Sequence, residues 1–351
     1  MSGKPPTIRE VASRAGVSVA TASNVINGKV SVSDASRRAV LAAVAALGYS
    51  PNRAARSLRG AASRLVGMVV PDITNVFFAG LVRGVEEQAE RSGYDLLLVS
   101  SNENIATERR RIEALISRRI DGLLVVPVRD DSLRPPREGA HAGHLPPTVL
   151  IDRGDEAPGL DVVAADCCSG AYAATRHLID LGHRDIVVLA HSIGLNNIQA
   201  RIAGYRRALE EADLAKRARI CVGGHVLDAL RGSVEQELRR ADPPTAIFAL
   251  TNGSALAAIK AARGLGLEIP GEVSIVGFDD FDWMSALRPY LTTVAQPIEE
   301  FATCSWRLLM ERINGEVGPE GRRIELPCTL RVRESSGIAR VQPRAVADAA
   351  N

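Results

Sequence analysis

Long apolar runs are missing from this chain of 351 residues, and aromatic side chains are few: six Phe, five Tyr and two Trp. No stretch of 18 apolar residues occurs, so the sequence offers no membrane-spanning helix, and the polar opening from Ser2 to Glu10 does not resemble a secretory leader. A cytoplasmic protein that is not exported and has no membrane partner is expected. Cysteine is scarce as well. The five thiols, Cys167, Cys168, Cys221, Cys304 and Cys328, are odd in number and show no metal-ligand spacing, which argues against a disulfide framework and a metal site. Adjacent Cys167 and Cys168 read most simply as a packing pair where a strand passes into a helix, in a reducing compartment. Also absent are a G-x-G-x-x-G after a strand, a P-loop and a G-x-S-x-G elbow. Phosphate-cradling and nucleophile-elbow chemistry therefore have no foothold, and neither an enzyme nor a bound cofactor is expected.

What the chain does have is a lopsided charge. Residues 1–60 carry nine basic side chains against Glu10 and Asp34, net +7, while residues 61–351 carry 34 basic and 39 acidic side chains, net −5. A small basic module on a mildly acidic body points to a nucleic-acid-binding head, provided that the module folds. Its pattern says that it does. Thr7-Ile-Arg-Glu10 is a capping box, Ile8, Val11, Ala12 and Ala15 recur at helical spacing, and Gly16 supplies a residue that tolerates positive φ at the helix end. Ser18 caps a second short helix with apolar positions at Val19, Ala22, Val25 and Ile26. Two helices joined by so tight a glycine-containing turn predict a helix-turn-helix, with the second helix in the major groove. A third helix follows Ser33, turning Val40, Val44 and Leu47 inward and ending at Gly48.

Specific runs then point to one family. Thr7-Ile-Arg-Glu-Val-Ala-Ser-Arg-Ala-Gly-Val-Ser-Val-Ala-Thr21, Val25-Ile-Asn-Gly28 and Leu47-Gly-Tyr-Ser-Pro-Asn-Arg-Ala-Ala-Arg-Ser-Leu-Arg59 resemble the lactose repressor/galactose repressor (LacI/GalR) family of bacterial transcriptional regulators. The resemblance continues in the family's order through Asn75-Val-Phe-Phe78, His177-Leu-Ile-Asp-Leu-Gly-His183, Arg201-Ile-Ala-Gly-Tyr205, Val273-Ser-Ile-Val-Gly-Phe-Asp-Asp280, Leu291-Thr-Thr-Val294 and Arg333-Glu-Ser-Ser336. His177 and His183 fall where the family has a helix end and a turn, which implies a structural role for both.

In the head, Val19, Ala20 and Asn24 occupy the part of the second helix from which side chains reach base edges. Small apolar Val19 and Ala20 suit thymine methyls, and Asn24 suits bidentate pairing with adenine. The family often has Arg at that last position, so the operator of a relative does not transfer. Thr21, Ser23, Asn27 and Ser36 carry short polar groups suited to phosphate oxygens, or equally to capping. Residues 51–60 form a connector. Pro51 suits a first helical turn, but the stretch is too short to persist alone. Leu58, apolar among Arg53, Arg56 and Arg59, reads as a wedge for the minor groove or as a core contact. The resemblance favours the wedge, with paired hinge helices opening a central step of a pseudo-palindromic site in double-stranded DNA. With Thr7, Ser18 and the matching-run residues Tyr49, Asn52, Arg53, Ala55 and Arg59, these positions make up the expected DNA-contacting set.

The rest of the chain alternates apolar runs at 65–70, 95–100, 122–126, 149–151, 186–190, 246–250 and 274–278 with amphipathic stretches near 78–92, 107–118, 169–181, 200–212, 229–240, 253–264 and 298–313. Such alternation predicts a doubly wound α/β body of parallel sheets, too long for one comfortable core and so divided into two lobes. The expected domains are 1–50 (head), 51–63 (hinge), 64–340 (body) and 341–351 (a disordered tail). The resemblance implies a body like that of periplasmic sugar-binding proteins, with crossings between the lobes near 163–165, 292–296 and 325–327.

A cleft between such lobes needs convergent polar groups and a stacking face. Arg201 opens a helix after a polar loop, Asp279 follows the strand at 274–278, Asn252 ends the strand at 246–250 in the same way, and Phe77 and Phe78 follow the first strand. The resemblance implies ligand roles for Phe77, Arg201, Asn252 and Asp279, and weaker ones for Asp152, His225 and Gln296. Two features are particular to this chain. Gly253 stands where the family usually has Asp, and Trp283 offers itself as a further lining residue. The expected function is a dimeric, sequence-specific repressor modulated by a small effector, by default a sugar or sugar derivative. An exported solute-binding protein is the rival for the body alone, and it would not carry the basic head.

Overall fold

The computed structural model describes residues 6–26, 32–49, 62–133, 145–154, 159–286 and 288–340. They fall into two compact units, Met1–Ser63 and Arg64–Asn351. The first unit holds α1 (Ile8–Ala15), α2 (Val19–Ile26) and α3 (Asp34–Leu47). The capping box at Thr7 forms in both directions, and Gly16 and Gly48 close α1 and α3 at φ +65° and +59°, the left-handed conformation that glycine adopts without strain. Val11, Ala12, Ala22, Val25, Val40 and Ala43 form its small core, with Val44, Leu47 and Tyr49 packed alongside. Residues 51–61 of the hinge and the tail beyond Arg340 lie outside the described residues.

The second unit contains two lobes. The first lobe comprises β1 (Leu65–Val70), α4 (Val76–Arg91), β2 (Asp95–Ser100), α5 (Ile105–Ile116), β3 (Gly122–Val125), β4 (Thr148–Ile151) and β5 (Leu160–Ala165). The chain then crosses through Asp166 to the second lobe: α6 (Cys167–Asp180), β6 (Ile186–Ala190), α7 (Asn196–Glu210), β7 (Arg219–Val222), α8 (Leu227–Leu238), β8 (Ala246–Ala249), α9 (Asn252–Gly264), β9 (Ser274–Phe278) and β10 (Thr292–Ala295). Gln296 and Pro297 return it to the first lobe for α10 (Ile298–Ile313) and β11 (Arg323–Leu326), and Pro327 and Cys328 carry it back to β12 (Thr329–Arg331). The three crossings fall within two residues of the positions expected from sequence.

Each lobe is built on a six-stranded sheet, ordered β2-β1-β3-β4-β5-β11 in the first and β7-β6-β8-β9-β10-β12 in the second. All pairs are parallel except β10–β12. The central strands are buried along their whole length, as strands covered by helices on both faces must be. His183 serves the second lobe structurally: its ring bonds to Thr245 Oγ1 at 2.9 Å and to Ser274 Oγ at 3.0 Å, while His177 meets Ser336 Oγ at 2.8 Å. Cys167 and Cys168 open α6 directly after β5, the first buried and the second half-buried.

Candidate functional site

In the head, Ala22 and Val25 turn one face of α2 into the core, which forces the residues between them outward. Ser18, Val19 (44% exposed) and Ala20 are exposed, with Thr21, Ser23 and Asn24 half-exposed beside them. Ser18 caps the helix by accepting the Thr21 amide at 3.0 Å, and its hydroxyl also meets Thr21 Oγ1 at 2.8 Å. Ser36 bonds in the same manner to Ser33, at 3.0 Å between hydroxyls. Capping therefore engages Thr7, Ser18, Thr21 and Ser36, and each hydroxyl keeps capacity for a second bond. Tyr49 is half-buried against the head core. Asn27, Asn52, Arg53, Ala55, Leu58 and Arg59 lie outside the described residues.

Between the lobes of the body lies a cavity of about 400 Å³, walled by loops at the carboxyl ends of both sheets. All eight residues singled out for ligand contact from sequence line it: Phe77, Phe78, Asp152, Arg201, His225, Asn252, Asp279 and Gln296. Asn75 caps α4 by accepting the Phe77 amide at 3.1 Å, which fixes the first turn of that helix at the cavity wall. Phe77 and Phe78, 4% and 2% exposed, pack edge-to-face at 5.3 Å, so each is chiefly a core residue with one surface toward the cavity. Asp152 and Asp279 follow β4 and β9 at φ +65° and +77°. A non-glycine residue in that region costs free energy, and such strain gathers where side-chain direction matters.

The floor is highly charged, and its charged side chains are nearly all buried. Arg201 on α7, 3% exposed, lays its guanidinium over the Phe278 ring at 3.7 Å and donates through Nη1 to the Leu250 carbonyl. Asp152, 6% exposed, accepts the Asn197 amide at 3.0 Å and faces Arg153 Nε at 3.7 Å. Burial pushes its carboxyl above the ordinary value, against the pull of Arg153, Arg201 and Asn197. Arg153 in turn pairs with Glu103 at 3.1 Å. Asp279 accepts the Gln296 side-chain amide at 2.6 Å and the Asn252 backbone N–H at 3.2 Å. His191 and His225 meet edge-to-face at 4.7 Å on the second lobe's wall. Burial, with His225, Arg153 and Arg201 nearby, pushes His191 down to about 4 and keeps it neutral at pH 7.

Among the described residues, hydrogen bonds tie the lobes together beside the cavity. Asn197 of the second lobe donates to Asp152 of the first, Asn252 Nδ2 donates to Asn75 Oδ1 at 3.2 Å, and the Asn196 N–H donates to Asp130 Oδ2 at 2.8 Å. Asp72, Asn75, Glu103, Arg153, His191 and Asn197 were not anticipated from sequence. A signal for Asn197 existed, because it precedes Arg201 by four residues on one helix face.

Two expectations need correcting. Asn252 is the first residue of α9, after its N-cap Thr251, and does not end a strand: β8 stops at Ala249, and the Thr251 side chain accepts the Ser254 N–H to start the helix. Trp283 does not line the cleft. The short 3₁₀ turn Asp282–Ser285 buries Met284 and carries Trp283 into a separate apolar pocket with Leu256, Ile259 and Leu291. Gly253 does line the cleft, with open space where its Cβ would project.

A basic three-helix head followed by a two-lobed α/β body with a polar interlobe cleft defines a DNA-binding regulator of the ligand-responsive class. The comparisons place it within one family. Residues 7–52 match the bacterial regulatory proteins of the lacI family, and residues 175–336 match a periplasmic binding protein-like domain. The chain is 34% identical to the HTH-type transcriptional repressor PurR of Photobacterium profundum, over 94% of this chain and 98% of that one. It is 36% identical to the ribose operon repressor of Halalkalibacterium halodurans, over 94% and 97%. Among solved structures, the lac repressor dimer bound to operator and the anti-inducer ONPF superposes with a TM-score of 0.84 at 26% identity, over 95% of this chain and all of that one. The chain belongs to the lacI family and is a DNA-binding transcriptional repressor, not an enzyme. No helix among the described residues is long and apolar enough to cross a membrane.

Proposed function

We propose that this repressor acts as a homodimer on a pseudo-palindromic operator, and that a small metabolite held between the lobes of each body sets its affinity for DNA. The solvent-facing side of α2 reads bases through Val19, Ala20 and Asn24. Thr7, Ser18, Thr21, Ser23, Asn27, Ser36, Tyr49, Asn52, Arg53, Ala55 and Arg59 hold the backbone, and Leu58 enters the minor groove. In the cleft, Arg201, Asp279, Asn252, Asp152, Gln296 and His225 grip polar groups of the effector, and Phe77 and Phe78 supply its apolar wall. A sugar or sugar derivative is the default ligand. The protein works in the cytoplasm, on the nucleoid.

The observation that carries this reading is that the cleft walls come from both lobes and are already joined by side-chain hydrogen bonds, so that an occupant binding both walls together more tightly than apart biases lobe closure. Lobe geometry then decides whether the two hinges of a dimer pair. Because that coupling is an equilibrium one, operator must alter effector affinity by the same factor as effector alters operator affinity.

The test is selection of genomic fragments by the purified full-length protein at near-physiological salt, with and without added metabolites. Enrichment of a short inverted repeat whose yield changes with metabolites is expected. Salt matters, because the basic head binds any DNA weakly when salt is low. Enrichment without an inverted repeat, unmoved by any metabolite, would refute the reading.

A further inference from the structure

The body begins with a residue whose backbone is fixed and whose charge is uncommitted. Arg64, the first residue of the second unit, has φ +57°, a left-handed conformation that costs a non-glycine residue free energy. Its N–H donates to Asp121 Oδ2 at 2.8 Å and its carbonyl accepts the Asp95 N–H at 2.8 Å, so both backbone groups are tied down before β1 starts at Leu65. The residue is exposed, and its guanidinium forms no ion pair among the described residues. Instead, its Cζ lies over the Tyr94 ring, 4.9 Å from the centroid.

What lies beneath that ring makes it a rigid support. Tyr94 is buried and meets Trp306 edge-to-face at 5.8 Å, and Trp306, also buried, donates its Nε1–H to Ser92 Oγ at 2.9 Å. Ser92 Oγ in turn donates to the Gln88 carbonyl at 2.9 Å, in the last turn of α4. A guanidinium resting on such a ring keeps N–H donors available at its edge and loses less side-chain freedom when it binds.

Arg64 follows Leu58, the hinge residue assigned to the minor groove, by six positions. Six residues span at most about 20 Å, so this guanidinium is tethered beside the operator whatever course the intervening chain takes. The DNA backbone is the anion within that reach. We infer that Arg64 is a further DNA-binding residue, supplied by the body, whose guanidinium takes a phosphate beside the step that Leu58 enters, and that Tyr94 and Trp306 are positioning residues that hold it ready. The inference rests on the operator reading. The planar fork of an arginine suits phosphate oxygens, and one Arg64 per protomer lets a dimer neutralise two phosphates, one on each side of the centre. Residues 61–351 carry a net −5, so the body has no general attraction for DNA and this contact acts locally.

The experiment is DNA binding by the full-length protein, followed by fluorescence anisotropy across roughly 50–200 mM salt. Two duplexes of equal length serve as probes: the inverted repeat selected from the genome and a random sequence. The slope of log affinity against log salt reports the phosphates neutralised, about 0.9 for each contact. Arg64→Met keeps a stem that packs on Tyr94 but removes the charge. It should flatten the slope on the repeat by about 1.8 for the dimer and weaken binding about tenfold. Arg64→Lys, a point charge that still pairs with phosphate, should keep the slope near that of wild type. Tyr94→Leu removes the support and leaves the charge, so affinity should fall about threefold at an unchanged slope, and Tyr94→Phe should recover that loss. An Arg64 that only packs on Tyr94 would change affinity through stability and leave the slope alone. An Arg64→Met slope equal to wild type on the repeat would therefore overturn the inference and leave the operator reading intact. Failure of the wild type to prefer the repeat over the random duplex would overturn the operator reading, and this inference with it.

Discussion

The two lobes of the body share one winding. In each, the strand that opens the lobe sits one place in from the edge, the next strand lies outside it, three more follow inward in order, and a strand from the chain's return closes the far edge. They differ in what their loops deliver to the cleft. The first lobe supplies two phenylalanine rings, Asp152 and the Arg153–Glu103 pair; the second supplies Arg201, two histidines and the side chains of Asn197, Asn252 and Asp279. Shared winding sets where a site stands, at the carboxyl ends of parallel strands, while loop chemistry decides what it holds.

The lobes also differ in how their helices meet, and this gives the largest expected effect. In the second lobe α6 and α7 approach so closely at Gly204 that a Cβ there would lie 2.1 Å from the Cys168 carbonyl oxygen and 2.8 Å from the Tyr172 nitrogen. Backbone cannot swing aside, so Gly204→Ala should destabilise the body by about 3 kcal/mol. In the first lobe α4 meets α10 at Gly84, where an added Cβ would face only the Ala302 methyl at 2.7 Å. Gly84→Ala should cost about 1 kcal/mol. Urea unfolding of both variants measures the contrast, and equal midpoints would erase it.

How legible each lobe was from sequence follows from the same physics. The strands β1, β2, β6 and β9 were readable end to end, because each is a bounded apolar run between turn residues. The strand β5 was recognised only as a crossing. Asp161 interrupts its apolar pattern, and the sequence does not reveal that Arg312 and Arg322 reach across to hold that buried carboxylate at 2.6 and 2.7 Å. The strands β7, β11 and β12 have three or four residues each and are half-exposed or exposed, which leaves too little signal. In the cleft, Asp279 was found where it follows β9, whereas His191, which follows β6 in the same way, was not. Asn75, Glu103, Arg153 and His191 were missed because they sit in loops, where a polar residue alone does not tell a cleft from open solvent.

A smaller effect should sharpen the link between the lobes. The N-cap position of α7 is Leu195, which has no side-chain oxygen to offer. The cap comes instead from the other lobe: Asp130 accepts the Asn196 N–H through Oδ2 at 2.8 Å while holding the Gly154 N–H of its own lobe through Oδ1 at 3.0 Å. Because the capping group and the helix belong to different lobes, its stabilisation is felt only while the lobes keep this arrangement. Asp130→Ala should cost about 1 kcal/mol of that arrangement and lower effector affinity about fivefold by calorimetry. Asp130→Asn, which keeps an acceptor, should recover most of it. Equal affinities in all three proteins would mean that the cap contributes nothing to closure.

The smallest expected effect concerns acid, and it tests whether the second lobe's wall is the acid-sensitive one. His191 has a folded-state pKa of about 4, against 6.5 for an ordinary histidine. As pH falls below 6.5, unfolded chains take up a proton on this ring while folded ones do not. Its contribution to stability therefore declines with falling pH down to about 4 and is flat below, where both states carry the proton. Each unit of separation is worth about 1.4 kcal/mol. His191 is only partly buried, so solvent screening reduces the realised amount. His177 and His183 are displaced in the same direction, which makes the wild-type slope a sum over several groups. The informative quantity is thus the difference between wild type and His191→Gln, whose amide does not titrate. Unfolding midpoints between pH 7 and pH 4 should show the variant losing less stability than wild type. Parallel curves would mean that His191 is solvated well enough to titrate normally, and that the second lobe's wall is wetter than its packing against His225 implies.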